Sequence, residues 1–151
     1  MLESLLAASV LITLTVAIHM VGLVALMGFL QARSRRIRPF ESPLRQGVFI
    51  VMIVLGLVVI HGVEIMIYGV SYHALGVFPT FEAALYYSTS AFTTVGFGDL
   101  AIESEWRLLG ALEGLNGFLL IGWSTAFLVA VIGRMRSMEM GWLDRLRDGA
   151  D

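Results

Sequence analysis

Thr93-Thr94-Val95-Gly96-Phe97-Gly98-Asp99 is the stretch on which the reading of this chain turns. Two glycines spaced by one residue free the backbone to take positive φ where a side chain would clash, so an extended strand there can turn successive carbonyl oxygens to one side. Oxygens aligned in that way can stand in for the water around a cation. Just upstream, Pro79-Thr80-Phe81-Glu82 has the makings of a helix start, with Thr80 suited to the N-cap and Glu82 to the first turn. Good helix formers follow at Ala83, Ala84 and Leu85, and the run ends near Phe92.

Outward from this segment the sequence becomes strongly apolar. Three stretches, Leu5 to Leu30, Gly47 to Gly69 and Leu108 to Gly133, are each long enough to cross a bilayer, which takes about 20 helical residues. The first carries no acidic or basic side chain apart from His19, the second holds only His61 and Glu64, and the third only Glu113. The segment Pro79 to Asp99 between the second and third is too short and too polar to span. Non-helical backbone at membrane depth is tolerated only where protein buries it or where it lines a water-filled path. A short helix that enters from outside and turns its C-terminus inward adds the negative end of its dipole, which favours a cation at the membrane centre.

Composition agrees. The 151 residues are 58% hydrophobic and 15% charged, far below the quarter or so typical of a soluble domain. A net charge of −2 offers no basic footprint for nucleic acid, and the absence of cysteine removes disulfides and thiolate metal sites. All ten basic residues are arginine. Arg33, Arg35, Arg36, Arg38 and Arg45 follow the first stretch, and Arg134, Arg136, Arg145 and Arg147 follow the third. The positive-inside rule makes both regions cytoplasmic and leaves the N-terminus and the segment Tyr72 to Trp106 outside. A cleaved leader is not expected, because the only early charge is Glu3 and the arginines come after an over-long apolar run. The expected layout is an N-terminal transmembrane helix (1–32), a basic loop (33–46), a pore domain (47–133) and a short tail (134–151). The fold class expected is an all-α membrane protein with three transmembrane helices and a re-entrant helix and strand between the second and third.

The run from Tyr86 to Leu100 resembles the pore helix and selectivity filter of potassium channels, whose motif is T-V-G-[YF]-G-D. With one helix on each side, the stretch from Gly47 to Gly133 is similar to the bacterial ion-channel family with two pore-forming helices. His61 and Glu64, Glu113-Gly114-Leu115-Asn116-Gly117 and Gly122-Trp123-Ser124-Thr125-Ala126 resemble small members carrying an extra N-terminal helix. The resemblance implies a homotetramer in the inner membrane, surrounded by lipid, that conducts K+ passively. It implies no enzymatic activity and no organic cofactor. K+ would be held by the backbone carbonyls of Thr94, Val95, Gly96 and Phe97, with the Thr94 hydroxyl closing the innermost site. Thr93 would face the internal cavity, Asp99 would sit at the external mouth, and Gly98, Ser90 and Tyr87 would support the filter. Leu119, Gly122, Ala126 and Ala130 would line the cavity, and Gly117 or Gly122 would be the gating hinge. Phe97 stands where relatives often carry Tyr, Tyr86 and Tyr87 where they carry Trp, Ser90 where they carry Glu, and Ile102 where they carry Pro. A nonselective cation channel and a non-conducting membrane scaffold are the alternatives.

Ionisable groups inside a span usually have partners. His61 and Glu64 are three apart on one helical face and fall near the depth of Glu113, so the three are read as a buried polar cluster, either a static packing network or a proton-sensitive element. His19 reads as a packing contact. Gly110, Gly114, Gly117 and Gly122 permit close approach of a neighbour. Met135, Met138, Trp142, Leu143 and Leu146 suggest an amphipathic tail helix. No arginine lies within a span, so no intrinsic voltage sensor is expected.

Overall fold

The computed structural model describes residues 1–37, 42–102 and 105–148. Four helices follow in order: α1 (Leu2–Ile37), α2 (Pro43–Ala74), α3 (Phe81–Phe92) and α4 (Arg107–Asp148), and the described residues contain no strand. Three are long and apolar enough to span a membrane, over Leu2–Arg33, Pro43–Ala74 and Arg107–Arg136. The fold is therefore the expected all-α one, with helices longer than the apolar stretches that announce them. Propagating a formed helix adds a hydrogen bond for each residue ordered, so helices extend past the apolar run until a stop signal intervenes.

Those signals are local. Ser42 in extended conformation caps α2, its hydroxyl accepting from the Arg45 N–H, and Pro43 fills the first turn where its missing N–H costs nothing. Gly76 at φ 71° ends the helix: the Val77 N–H turns back to the Tyr72 carbonyl at 3.0 Å, a reversal only a residue tolerant of positive φ permits cheaply. α4 passes through Gly133 without a break. Arg38, and the side chains of the tail positions Met138, Trp142, Leu143 and Leu146, lie outside the described residues.

α1 lies along α2 and α4, and α3 is wedged between α2 and α4. Glycines set the α1–α2 spacing, since a Cβ on Gly56 would meet Leu26 at 2.4 Å and one on Gly22 would meet Ile60 at 2.9 Å. The interior divides into two apolar clusters. Leu23, Leu26, Leu30, Phe49, Ile53, Leu57, Ile60 and Met135 fill the end remote from α3. Ala8 and Leu11 of α1 join Tyr68, Tyr72, Phe78, Phe92 and Leu109 around α3. Outside, Val21, Val24, Val58, Val59 and Val129 are all more than half exposed, a surface that suits acyl chains and not water.

Candidate functional site

The short helix α3 is built as its sequence suggests. Thr80, extended at φ −124° and ψ 148°, accepts the Ala83 N–H on its hydroxyl at 3.2 Å, and Glu82 lies in the first turn. With 12 residues the helix is about 18 Å long, too short to span. Ala84, Ser88 and Phe92 are buried beneath it. Its C-terminal end is seated on glycines of α4. A Cβ on Gly117 would come within 2.0 Å of the Phe92 carbonyl oxygen, one on Gly114 within 3.3 Å of the Ala91 oxygen, and one on Gly110 within 2.2 Å of the Tyr87 hydroxyl. Gly117 is thus a seat for α3, whereas Gly122 has open space around it.

The segment after α3 is held from one side by a single residue. The Ser90 carbonyl accepts the N–H groups of Val95 at 3.1 Å and Gly96 at 3.2 Å, and its hydroxyl accepts the Phe97 N–H at 3.1 Å. In a planar trans peptide the C=O points opposite to the N–H, and no described peptide is cis. The carbonyls of Thr94, Val95 and Gly96 therefore face away from α3, three in succession on one side. The torsions show how the chain does this. Thr94, Gly96 and Gly98 have φ of 59°, 60° and 77°, while Val95 and Phe97 between them stay negative. Positive φ at Gly96 and Gly98 follows from the glycine spacing. Positive φ at Thr94, a β-branched residue, had no sequence signal and carries strain of the kind that gathers at functional sites.

The residues from Thr93 to Asp99 are exposed in the single chain, Val95 by 54% and Phe97 by 65%. The Phe97 ring stacks on Tyr86 at 6.0 Å and 15°. Loss of water and the neighbouring Asp99 carboxylate push the Tyr86 hydroxyl above its ordinary value. Asp99, which lacks a glutamate partner at Ser90, is thus met by a phenol. Tyr87 sets its ring against Phe78 at 5.1 Å and Tyr72 at 5.4 Å, and it lines a pocket with Ser90, Gly96, Gly98 and Asp99. The Thr93 hydroxyl returns to the Thr89 carbonyl at 2.7 Å. Leu119, Gly122, Ala126 and Ala130 are exposed along α4.

Behind α3, the buried polar residues form three networks where the sequence pointed to one. Glu113 does not join His61 and Glu64. Its carboxylate accepts from the Tyr72 hydroxyl and the Ser88 hydroxyl, each at 2.6 Å, tying α4 to α2 and α3. The depth estimate was blind to rotation about the helix axis, which separates the two carboxylates. Glu64 is instead shared by two imidazoles: His19 Nδ1 lies 2.9 Å from Oε1 and His61 Nδ1 2.8 Å from Oε2, and His61 Nε2 lies 3.0 Å from Ser124 Oγ. His19 is thus a polar partner and not a packing contact. In the third network the Asn116 amide donates to the Thr15 hydroxyl at 2.8 Å and the Tyr68 hydroxyl at 3.2 Å. Residues 64, 68 and 72, four apart on α2, and 113 and 116, three apart on α4, form polar rows at helical spacing. That periodicity could have identified Tyr68, Tyr72 and Asn116 from sequence.

Residues 60–134 match a protein family described as Ion channel. No curated protein and no solved structure matches the chain. The matched stretch runs from the last turns of α2 through α3 and the segment after it to Arg134 in α4, and α1 precedes it. The matched stretch, just under half of the chain, is similar to ion channels, and three helices long and apolar enough to span fit a multi-pass membrane protein.

Proposed function

We propose that the chain is one subunit of a potassium-selective channel whose pore is completed by four copies around an axis. The observation that carries this reading is the hold of Ser90 on three consecutive N–H groups, which leaves the carbonyls of Thr94, Val95 and Gly96 on one exposed side. A ring of such oxygens replaces the hydration shell of K+. One chain supplies one wall, and cyclic symmetry supplies the others. Phe97 contributes the next carbonyl, and the Thr94 hydroxyl the innermost ligand.

Around this ring the other residues take supporting roles. α3 ends at Phe92, directly before the strand, so four helix C-termini, each carrying roughly half a negative charge, favour a cation on the axis. Ser90 sets the strand, Gly98 continues the alternation of φ, and Asp99, steadied by Tyr86, lies at the mouth. Leu119, Gly122, Ala126 and Ala130 line the cavity below. Gly122, free of contacts, is the better hinge, since Gly117 is occupied as a seat. The arginines flanking α1, α2 and α4 put the N-terminus outside and the C-terminus in the cytoplasm of an inner membrane. With no arginine inside the apolar stretches Leu5–Leu30, Gly47–Gly69 and Leu108–Gly133, gating does not rest on an intrinsic voltage sensor.

Reconstitution in liposomes under opposed K+ and Na+ gradients tests the reading. Flux of K+ without Na+ is expected. Equal flux of both ions would mark a nonselective cation channel, and no flux from correctly inserted protein would mark a scaffold. A stable monomer or dimer as the only species in mild detergent would overturn the fourfold ring.

A further inference from the structure

We propose that His19, His61 and Glu64 form a binding site for a divalent transition-metal ion of the zinc class, and that the ion ties α1 to the pore module. Each of the three residues offers one ligand atom, and those atoms lie within 4.8 Å of one another. Two imidazole nitrogens and a carboxylate oxygen are a donor set that suits zinc, cobalt or nickel. Tetrahedral zinc with bonds of ~2.0–2.1 Å holds its donors about 3.3 Å apart. The two imidazoles now lie 2.9 Å and 2.8 Å from different Glu64 oxygens, and the three ligand atoms, within 4.8 Å of one another, would adjust to that spacing around one ion.

Two further observations favour a metal over hydrogen bonds alone. Metal-bound imidazoles commonly pass their other N–H to a partner that fixes the tautomer. His61 does so, with Nε2 at 3.0 Å from Ser124 Oγ. His19 Nε2, by contrast, is the one buried side-chain nitrogen or oxygen without a hydrogen-bond partner among the described residues. A fully buried imidazole with one nitrogen unpaired is costly, and a ligand taken at that ring would meet a group the protein leaves half satisfied. Glu64 meets part of the ion's charge. The side chain of His61, 17% exposed, leaves a flank open to a fourth ligand. The ion would sit between the two apolar clusters, bridging α1 and α2 beside Phe92, whose ring lies 5.8 Å from His61. None of the three ligands belongs to the 93–99 segment, so the site stands whether or not the chain selects potassium.

The test is to strip untagged full-length protein in detergent with a chelator and titrate it with Co2+ and Zn2+. Bound metal is read by elemental analysis after desalting, by the Co2+ visible bands and by the melting temperature. The chain has no cysteine, so thiolates cannot generate the Co2+ signal. One ion per chain is expected, with affinity reduced at least tenfold in His19→Gln and, separately, in His61→Gln. His73→Gln, which removes the third histidine at the outer end of α2, should bind like wild type. Ser124→Ala retains all three ligands and should weaken binding by roughly tenfold; it serves if a ligand variant fails to fold. Wild type that binds no more metal than empty micelles would overturn the site, as would undiminished affinity in a folded His19→Gln or Ser124→Ala, or loss of binding in His73→Gln.

Discussion

The extended segment after α3 and the polar networks behind it satisfy their polar groups in opposite ways. In the networks, side chains close on one another within one chain: Glu113 takes two hydroxyls, Glu64 two imidazoles, and Asn116 gives to Thr15 and Tyr68. Glu64, Glu113 and Asn116 are almost wholly buried. The strand satisfies only one half of each peptide: its donors go to Ser90 and its acceptors stay exposed. A region that closes on itself stabilises the fold, whereas a region left open on one side has work to do with something outside the chain. Changes in the two regions should therefore part company, with strand changes altering ion passage and network changes altering stability.

The sharpest break in that comparison is expected at Gly96→Ala. The residue sits at φ 60° with nothing within 4 Å of its would-be Cβ, so the penalty is purely torsional, about 1–2 kcal/mol per chain and four times over in a ring. Potassium flux from reconstituted vesicles should collapse while membrane insertion persists. Undiminished selective flux would remove the strand from the pore.

Gly117→Ala should act on the fold instead. Its Cβ would overlap the Phe92 carbonyl, and relieving that contact must displace α3 or α4, an overpacking cost of about 1–3 kcal/mol. A clear fall in melting temperature in detergent is expected. Gly122→Ala, with open space around it, should melt like wild type; a change in open probability there without a change in stability would identify the hinge.

Tyr72→Phe deletes one of the two hydroxyls that Glu113 accepts, leaving a buried carboxylate short of a donor. A loss of about 1–3 kcal/mol follows from such an unmade bond. Ion preference should stay as in wild type, as reversal potentials would show. A shift in selectivity would mean that the networks and the strand are not separable.

Ser90→Ala has the smallest expected effect, and it falls on the boundary between the regions. It removes the acceptor of the Phe97 N–H but keeps the carbonyl that holds Val95 and Gly96, for roughly 0.5–1.5 kcal/mol per chain. Sustained K+ currents should decline faster than in wild type with the initial selectivity retained. Identical kinetics would show that the carbonyl alone sets the strand.

Much of this was legible from local chemistry. Apolar length set the three spans, and the Thr80 cap and Glu82 set the start of α3. The glycine spacing at 96 and 98 set positive φ at both. Those features depend on neighbours a few residues away, so one sequence suffices to read them. The alternation completed by Thr94 at φ 59° was not legible, since nothing in a threonine announces that conformation; it is imposed by the anchoring of the next three N–H groups on Ser90.

The division of the polar residues belongs to the tertiary structure for a related reason. Sequence placed His19, His61, Glu64 and Glu113 inside apolar spans and gave approximate depths for the last three along their helix axes. Which of them meet depends on the rotation of each helix about that axis and on how closely the helices approach. Those are decided by contacts between helices, such as Gly56 admitting Leu26 and Gly117 admitting Phe92. The sequence by itself determined three apolar spans and a glycine-bearing extended segment after a short helix. Only the packing decided that Glu64 faces His19 while Glu113 faces Tyr72, because a side chain's depth follows from its position in the chain and its partner follows from the neighbouring helix.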